Sequence, residues 1–180
     1  MTLPYLLSKT ELESISFEAS IAYTEKLLQS VDELTDLEFQ QVIADLIATT
    51  NGARGFFVSY LTQDWAIGDR QTDAVVKALK SVPIPASELI VKNLAMSTAM
   101  AIAHRRAGNE TQAQGSDRVA ARSTALIQLI NLDEVTRIAS QMQKSAQTGE
   151  GAYAEFLNKW GYDAEQRAAM DVALAKAIGS

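Results

Sequence analysis

PASELIVKNLAMSTAMAIAHRR, residues 85–106, decides how the rest of the chain is read. Pro85 suits the first helical position, where its missing N–H removes no hydrogen bond. Leu89, Ile90, Val91, Leu94, Met96, Met100 and Ile102 then fall on every side of a cylinder with 3.6 residues per turn. A helix that is apolar all round is normally buried. At 1.5 Å per residue it would run roughly 30 Å, about the width of a small domain. The spacing therefore predicts a buried central helix over 85–106.

Two finer patterns lie on it. Ala95, Ala99 and Ala103 recur every four residues and give one shallow face, suited to a close neighbour within the chain or to a second copy across a twofold axis. Asn93, Ser97 and His104 fall within about 40° of one another by helical rotation and form a narrow polar stripe. Local hydrogen bonding accounts for most such stripes. The alternative is a cleft beside Asn93, Ser97 and His104 that holds a small ligand or substrate.

Outward from this helix the period of 3.6 continues in both directions. Thr10 with Glu13 reads as a capping box that opens a first helix near Glu11 and runs to about Ser30. Thr35 with Glu38 repeats the signature before LEFQQVIADLIATT. NGARG at 51–55 reads as a turn, and FFVSYLT after it reads as a helix because no second strand lies nearby to pair with it. Trp65 and Ile67 are expected to tuck inward from a loop, with Asp69 capping a helix that carries Val75, Val76 and Leu79. VPIP breaks the chain before the central helix, since residues ahead of proline are pushed toward extended conformations. Gly108 should end that helix, and 109–115 reads equally as loop or helical start. Asn131 with Glu134 and Asp163 with Gln166 read as further caps, and TGEG at 148–151 as a separator. In the last helix, Ala168, Ala169, Val172, Ala173 and Leu174 form the apolar side.

The expected fold is all-α, an irregular multi-helix bundle of about eight or nine helices around the central one. Residues 1–180 form a single domain, divisible at most into two lobes meeting near 81–86. No fixed-period repeat suggests a solenoid.

Composition limits the chemistry. The 180 residues are 47% hydrophobic and 21% charged, with a net charge of −6, one histidine and no cysteine. Without cysteine there are no disulfides, thiolate metal sites or cysteine nucleophiles. One histidine cannot furnish the paired Glu-x-x-His motifs of a helical di-iron centre, and no loop has EF-hand spacing. No metal and no cofactor are expected. The acidic balance argues against nucleic acid, which needs a cationic surface. MTLPYLLSKTELES lacks the basic start of a secretory signal, and Lys92 and Asp45 interrupt the most apolar stretches before the roughly 18–20 residues that a membrane span needs. The reading is cytoplasmic, with no membrane association.

Ser97 and His104 lie two turns apart, about 10 Å along the axis, too far for a nucleophile–base bond. Gly52 and Gly55 lack the Gly-Lys-Ser/Thr ending of a phosphate loop. The Phe56–Phe57–Tyr60 cluster reads as core; Trp65 and Trp160 are candidates for interface anchors, as loop-borne aromatics often are, but read more readily as core plugs. What remains is an arginine group. Arg105 and Arg106 end the central helix, Arg118 and Arg122 lie four apart near the start of the next, and Arg54 sits between glycines. Guanidinium forks suit carboxylates and phosphates. These residues, with His104, point to a non-catalytic interaction or regulatory module that binds an acidic protein partner or a small anionic ligand. The bland alternative is that Arg105 and Arg106 stabilise a helix C-terminus.

Overall fold

The computed structural model describes residues 6–64 and 73–179. Among them are ten α-helices, eight of seven or more residues, and no strand. The protein is an all-α multi-helix bundle. Trp65, Ile67 and Asp69 lie outside the described residues. The chain divides into two compact units, Met1–Leu89 and Ile90–Ser180.

In the first unit, α1 (Lys9–Glu13), α2 (Phe17–Gln29), α3 (Asp36–Ile47), α4 (Thr50–Thr62) and α5 (Asp73–Ser81) follow in order. The expected first helix is two. The capping box belongs to Ser8 and Glu11 rather than Thr10 and Glu13, and α1 ends at Glu13. Ser16 then starts α2 afresh by accepting the Ala19 N–H at 3.1 Å. The Ser14–Ile15–Ser16 segment interrupts the helix because a serine side chain can satisfy an orphan N–H that a longer helix would have bonded internally. At α3 the Thr35–Glu38 capping box forms as expected.

NGARG is not a turn. Thr49 caps α4 by accepting the Gly52 N–H, and the five residues form the first turns of that helix. The glycines are there for proximity. A Cβ on Gly55 would stand 1.9 Å from Ser20 Oγ, and one on Gly52 1.9 Å from the Leu46 carbonyl oxygen. Ser20 uses this close approach to donate to the Asn51 carbonyl at 2.9 Å, while Ser59 donates to the Ile21 carbonyl at 3.3 Å. Small residues thus let α2 and α4 meet almost backbone to backbone. Below the seam, Phe56, Phe57 and Tyr60 are buried as expected, with Phe56 stacked on Tyr60 at 5.1 Å.

Helix α6 (Pro83–Arg106) has extended dihedrals at Ile84 (φ −121°, ψ 130°), so its regular part starts at Pro85. This is the restriction that proline places on its predecessor. Every residue from 89 to 104 is buried or half-buried, with Ile90, Val91, Leu94, Ala95 and Ala99 fully so. Its amphipathicity is weak because its own apolar residues fall on every side.

In the second unit, α7 (Glu110–Ile130), α8 (Asp133–Thr148), α9 (Ala154–Lys159) and α10 (Ala164–Ile178) follow α6. Gly108 ends α6 at φ 70° as expected, and Asn109 caps α7 through the Gln112 N–H, so 109–115 is helical from Glu110. Asn131 is not an N-cap: it ends α7 in the left-handed conformation, and Leu132 precedes α8 without a side-chain cap. Asn tolerates that conformation better than most residues, which explains its place there. Asp163 and Gln166 form the expected capping box of α10. The buried face of α10 is Gln166, Met170, Leu174 and Ala177, so Ala168 and Val172 face outward, against the sequence reading. Trp160 is likewise 54% exposed rather than a core plug. The shallow alanine face of α6 is met at Ala99 by Gln166, whose Nε2 donates to the Ala99 carbonyl at 3.0 Å. Among the described residues no helix is long and apolar enough to cross a membrane.

Two stability predictions follow from packing. Gly55→Ala should destabilise by on the order of 1–3 kcal/mol, as overpacking does, whereas Gly115→Ala in α7, where a Cβ meets nothing within 4 Å, should stabilise by about 0.5–1 kcal/mol. Urea denaturation of both variants checks the opposite signs. Leu94→Ala should cost about 2–5 kcal/mol, and Met100→Ala, whose side chain is only half-buried, clearly less. Equal losses in denaturation would contradict the burial pattern of α6.

Candidate functional site

The arginines that end α6 are already engaged. Arg105 donates to Asp117 and, at 3.4 Å, to Glu110, both on α7. Arg106 turns instead to the start of α10 and pairs with Asp163 and Glu165. The two neighbours in sequence therefore serve different helices. The hydrogen bond to Asp117 raises the Arg105 pKa first of all, and bonds to Asp163 and Glu165 raise that of Arg106. Both guanidinium charges are met by carboxylates. On α7, Arg122 is 3% exposed and Arg118 is exposed, and each has interactions of its own. Arg54, in the first unit, stacks its guanidinium 4.4 Å over the Phe17 ring.

The polar stripe of α6 keeps largely to itself. Asn93, Ser97 and His104 are all half-buried. Ser97 Oγ donates to the Asn93 carbonyl at 2.5 Å, a bond within the helix that occupies the hydroxyl proton. Such back-bonding is the usual state of a serine in mid-helix.

A cleft opens elsewhere in the second unit, between the C-terminal end of α8, α9 and the outer face of α10. Its volume is about 510 Å³, and Gln147, Thr148, Asn158, Arg167, Ala168 and Asp171 are among its walls. That volume falls in the range of small-molecule pockets. Arg167 is half-buried and fixed by two neutral acceptors: its Nε donates to the Tyr162 carbonyl and its Nη2 to Asn158 Oδ1, each at 2.9 Å. Among the described residues it forms no ion pair.

Asp171 lies one turn further along α10, at the i+4 position where an aspartate ordinarily meets an arginine. It is held by α8 instead. Its Oδ1 accepts from Gln143 Nε2 at 2.9 Å and from Gln147 Nε2 at 3.0 Å. Gln143 also donates to the Asp171 carbonyl at 3.3 Å. The cleft thus presents a guanidinium and a carboxylate that are separately anchored.

The same region contains a phenol that stays neutral. Tyr162 is buried, its hydroxyl has no hydrogen-bond partner among the described residues, and burial pushes its pKa up to about 12. Its carbonyl positions Arg167. None of the residues anchoring Arg167 and Asp171 was marked by the sequence reading. An Arg-x-x-x-Asp spacing reads as an ordinary surface pair, and the i, i+4 glutamines of α8 are the one local sign of a different partner for the aspartate.

The clamp of Arg106 on α10 has a consequence in acid. Bonds from Arg106 and from the Gln166 N–H hold the Asp163 carboxyl below its ordinary 3.8. A carboxyl depressed on folding stabilises the fold above its unfolded pKa, and that contribution is lost as the pH falls through the lower folded value. The Asp163 resonance in a carboxyl ¹³C titration should therefore move below the usual aspartate range, and Arg106→Gln should return it toward 3.8. A titration unchanged by that substitution would contradict the clamp.

Neither the curated proteins nor the solved structures contain a significant match to this chain. A family model does match, over residues 16–177. On that match the chain belongs to the family described as uncharacterised conserved protein UCP020893.

Proposed function

We propose that the protein is a non-catalytic binding module that captures a carboxylate through Arg167 in the cleft between α8, α9 and α10. The observation that carries this reading is the state of the Arg167 guanidinium. It is immobilised by the Tyr162 carbonyl and Asn158, so little side-chain entropy remains to be lost on binding. Both acceptors are neutral, so its positive charge is not cancelled locally. Its Nη1 takes part in no hydrogen bond among the described residues. A guanidinium fixed in this way is the group best suited to meet a planar carboxylate.

The arginines at the end of α6 support the role less well, because Arg105 and Arg106 already face carboxylates on α7 and at the start of α10. An acidic partner would have to displace those contacts. The Ser97 hydroxyl, bonded to its own helix, favours binding over nucleophilic chemistry beside His104.

Titrating the full chain with butanoate tests the proposal. The backbone amides of Gly149, Ala164, Arg167 and Ala168, which border the cleft, should shift saturably in ¹H–¹⁵N spectra. One charge-assisted contact supports a dissociation constant on the order of 10–100 mM. Arg167→Gln should abolish the shifts. Shifts that persist in this variant, or none in the parent, would overturn the proposal.

A further inference from the structure

Arg167 and Asp171 are four residues apart on one helix and line the same cleft, yet they do not pair with each other. From this separation we infer that the cleft binds a zwitterion, a compound of the amino-acid class that carries a carboxylate and a protonated amine. The inference rests on carboxylate capture by Arg167 and adds the second half of the ligand.

Three features place a cation beside Asp171. Its Oδ1 is occupied by Gln143 and Gln147, while its Oδ2 accepts no hydrogen bond among the described residues. Both glutamines are neutral, so the carboxylate charge is oriented without being cancelled. The C-terminal end of α8 forms the adjoining wall through Gln147, Thr148 and Gly149. The last carbonyls of a helix have no partner within it and concentrate partial negative charge. The last turn of α8 carries no basic residue to offset that charge, although it is where one commonly sits. An ammonium group can use both the Asp171 oxygen and this helix end.

The same wall disfavours a bare anion. Phosphate at Arg167 would bring two negative charges toward Asp171 and the α8 carbonyls. A zwitterion presents opposite charges in the order in which the cleft presents them. The backbone positions of Arg167 and Asp171 are about 6 Å apart along α10, four residues of helical rise, and their side chains are anchored to different segments, which suits an amine and a carboxylate held apart by an aliphatic spacer.

A matched ligand series decides the matter on the unaltered chain. The dissociation constants of 4-aminobutanoate, butanoate, butylamine and inorganic phosphate should be measured by the cleft amide shifts at one ionic strength. 4-Aminobutanoate should bind at least about tenfold more tightly than butanoate or butylamine, the factor that one added charge-assisted contact supplies. Asp171→Asn, which keeps the shape of the side chain, should remove the advantage of 4-aminobutanoate over butanoate without weakening butanoate. If butanoate binds as tightly as 4-aminobutanoate, the zwitterion is overturned while carboxylate capture stands. If neither binds, both fall. Phosphate binding more tightly than 4-aminobutanoate would also overturn the inference.

Discussion

The amide of Gln166 holds the cleft in place. Its Nε2 donates to the Ala99 carbonyl and its Oε1 accepts the Asp163 N–H, each at 3.0 Å. One buried side chain therefore closes the N-terminus of α10 and ties it to the middle of α6. Removing it would leave a buried polar partner unsatisfied, at about 1–3 kcal/mol. Arg106 reinforces the same junction from outside through Asp163 and Glu165. The next residue along α10 is Arg167, so its position follows from this anchor. The cleft wall of the second unit depends on a structural bond one residue away.

Magnitudes explain why Arg167 and Asp171 stay apart. An exposed i, i+4 ion pair contributes about 0.2–0.5 kcal/mol. A hydrogen bond to a charged group contributes about 1.5–3 kcal/mol. Arg167 has two bonds of that kind and Asp171 Oδ1 has two more, all to neutral groups on other segments. Four charge-assisted contacts outweigh one weak pair. The arrangement leaves both charges uncancelled, which a folding optimum alone does not require.

The sequence carried the helices well and the site poorly, for a physical reason. Helical period, proline breaks and caps are local signals, so α6, the Thr35 box and the Asp163 box were legible. Where two local signals overlapped, as with Ser8–Glu11 and Thr10–Glu13, or where one residue type serves both ends of a helix, as with Asn131, the reading chose wrongly. The glycines of α4 were read as weak points because their reason lies across the chain at Ser20 and Leu46. On α10, five small or apolar residues obscured which face is buried, and Gln166, read only as a cap partner, also takes a buried position. That error turned the cleft wall inward on paper. The arginines at 105, 106, 118 and 122 drew attention through clustering, yet charge availability depends on partners that are distant in sequence.

The central claim is that neutral groups, and not Asp171, hold the Arg167 guanidinium. Hydrogen exchange of the Arg167 Nη2 protons, one of which Asn158 Oδ1 accepts, followed by ¹⁵N-detected spectra, tests it directly. Exchange should be slower than for an exposed arginine, unchanged by Asp171→Asn and faster in Asn158→Ala. Acceleration by Asp171→Asn, with no effect of Asn158→Ala, would contradict the account.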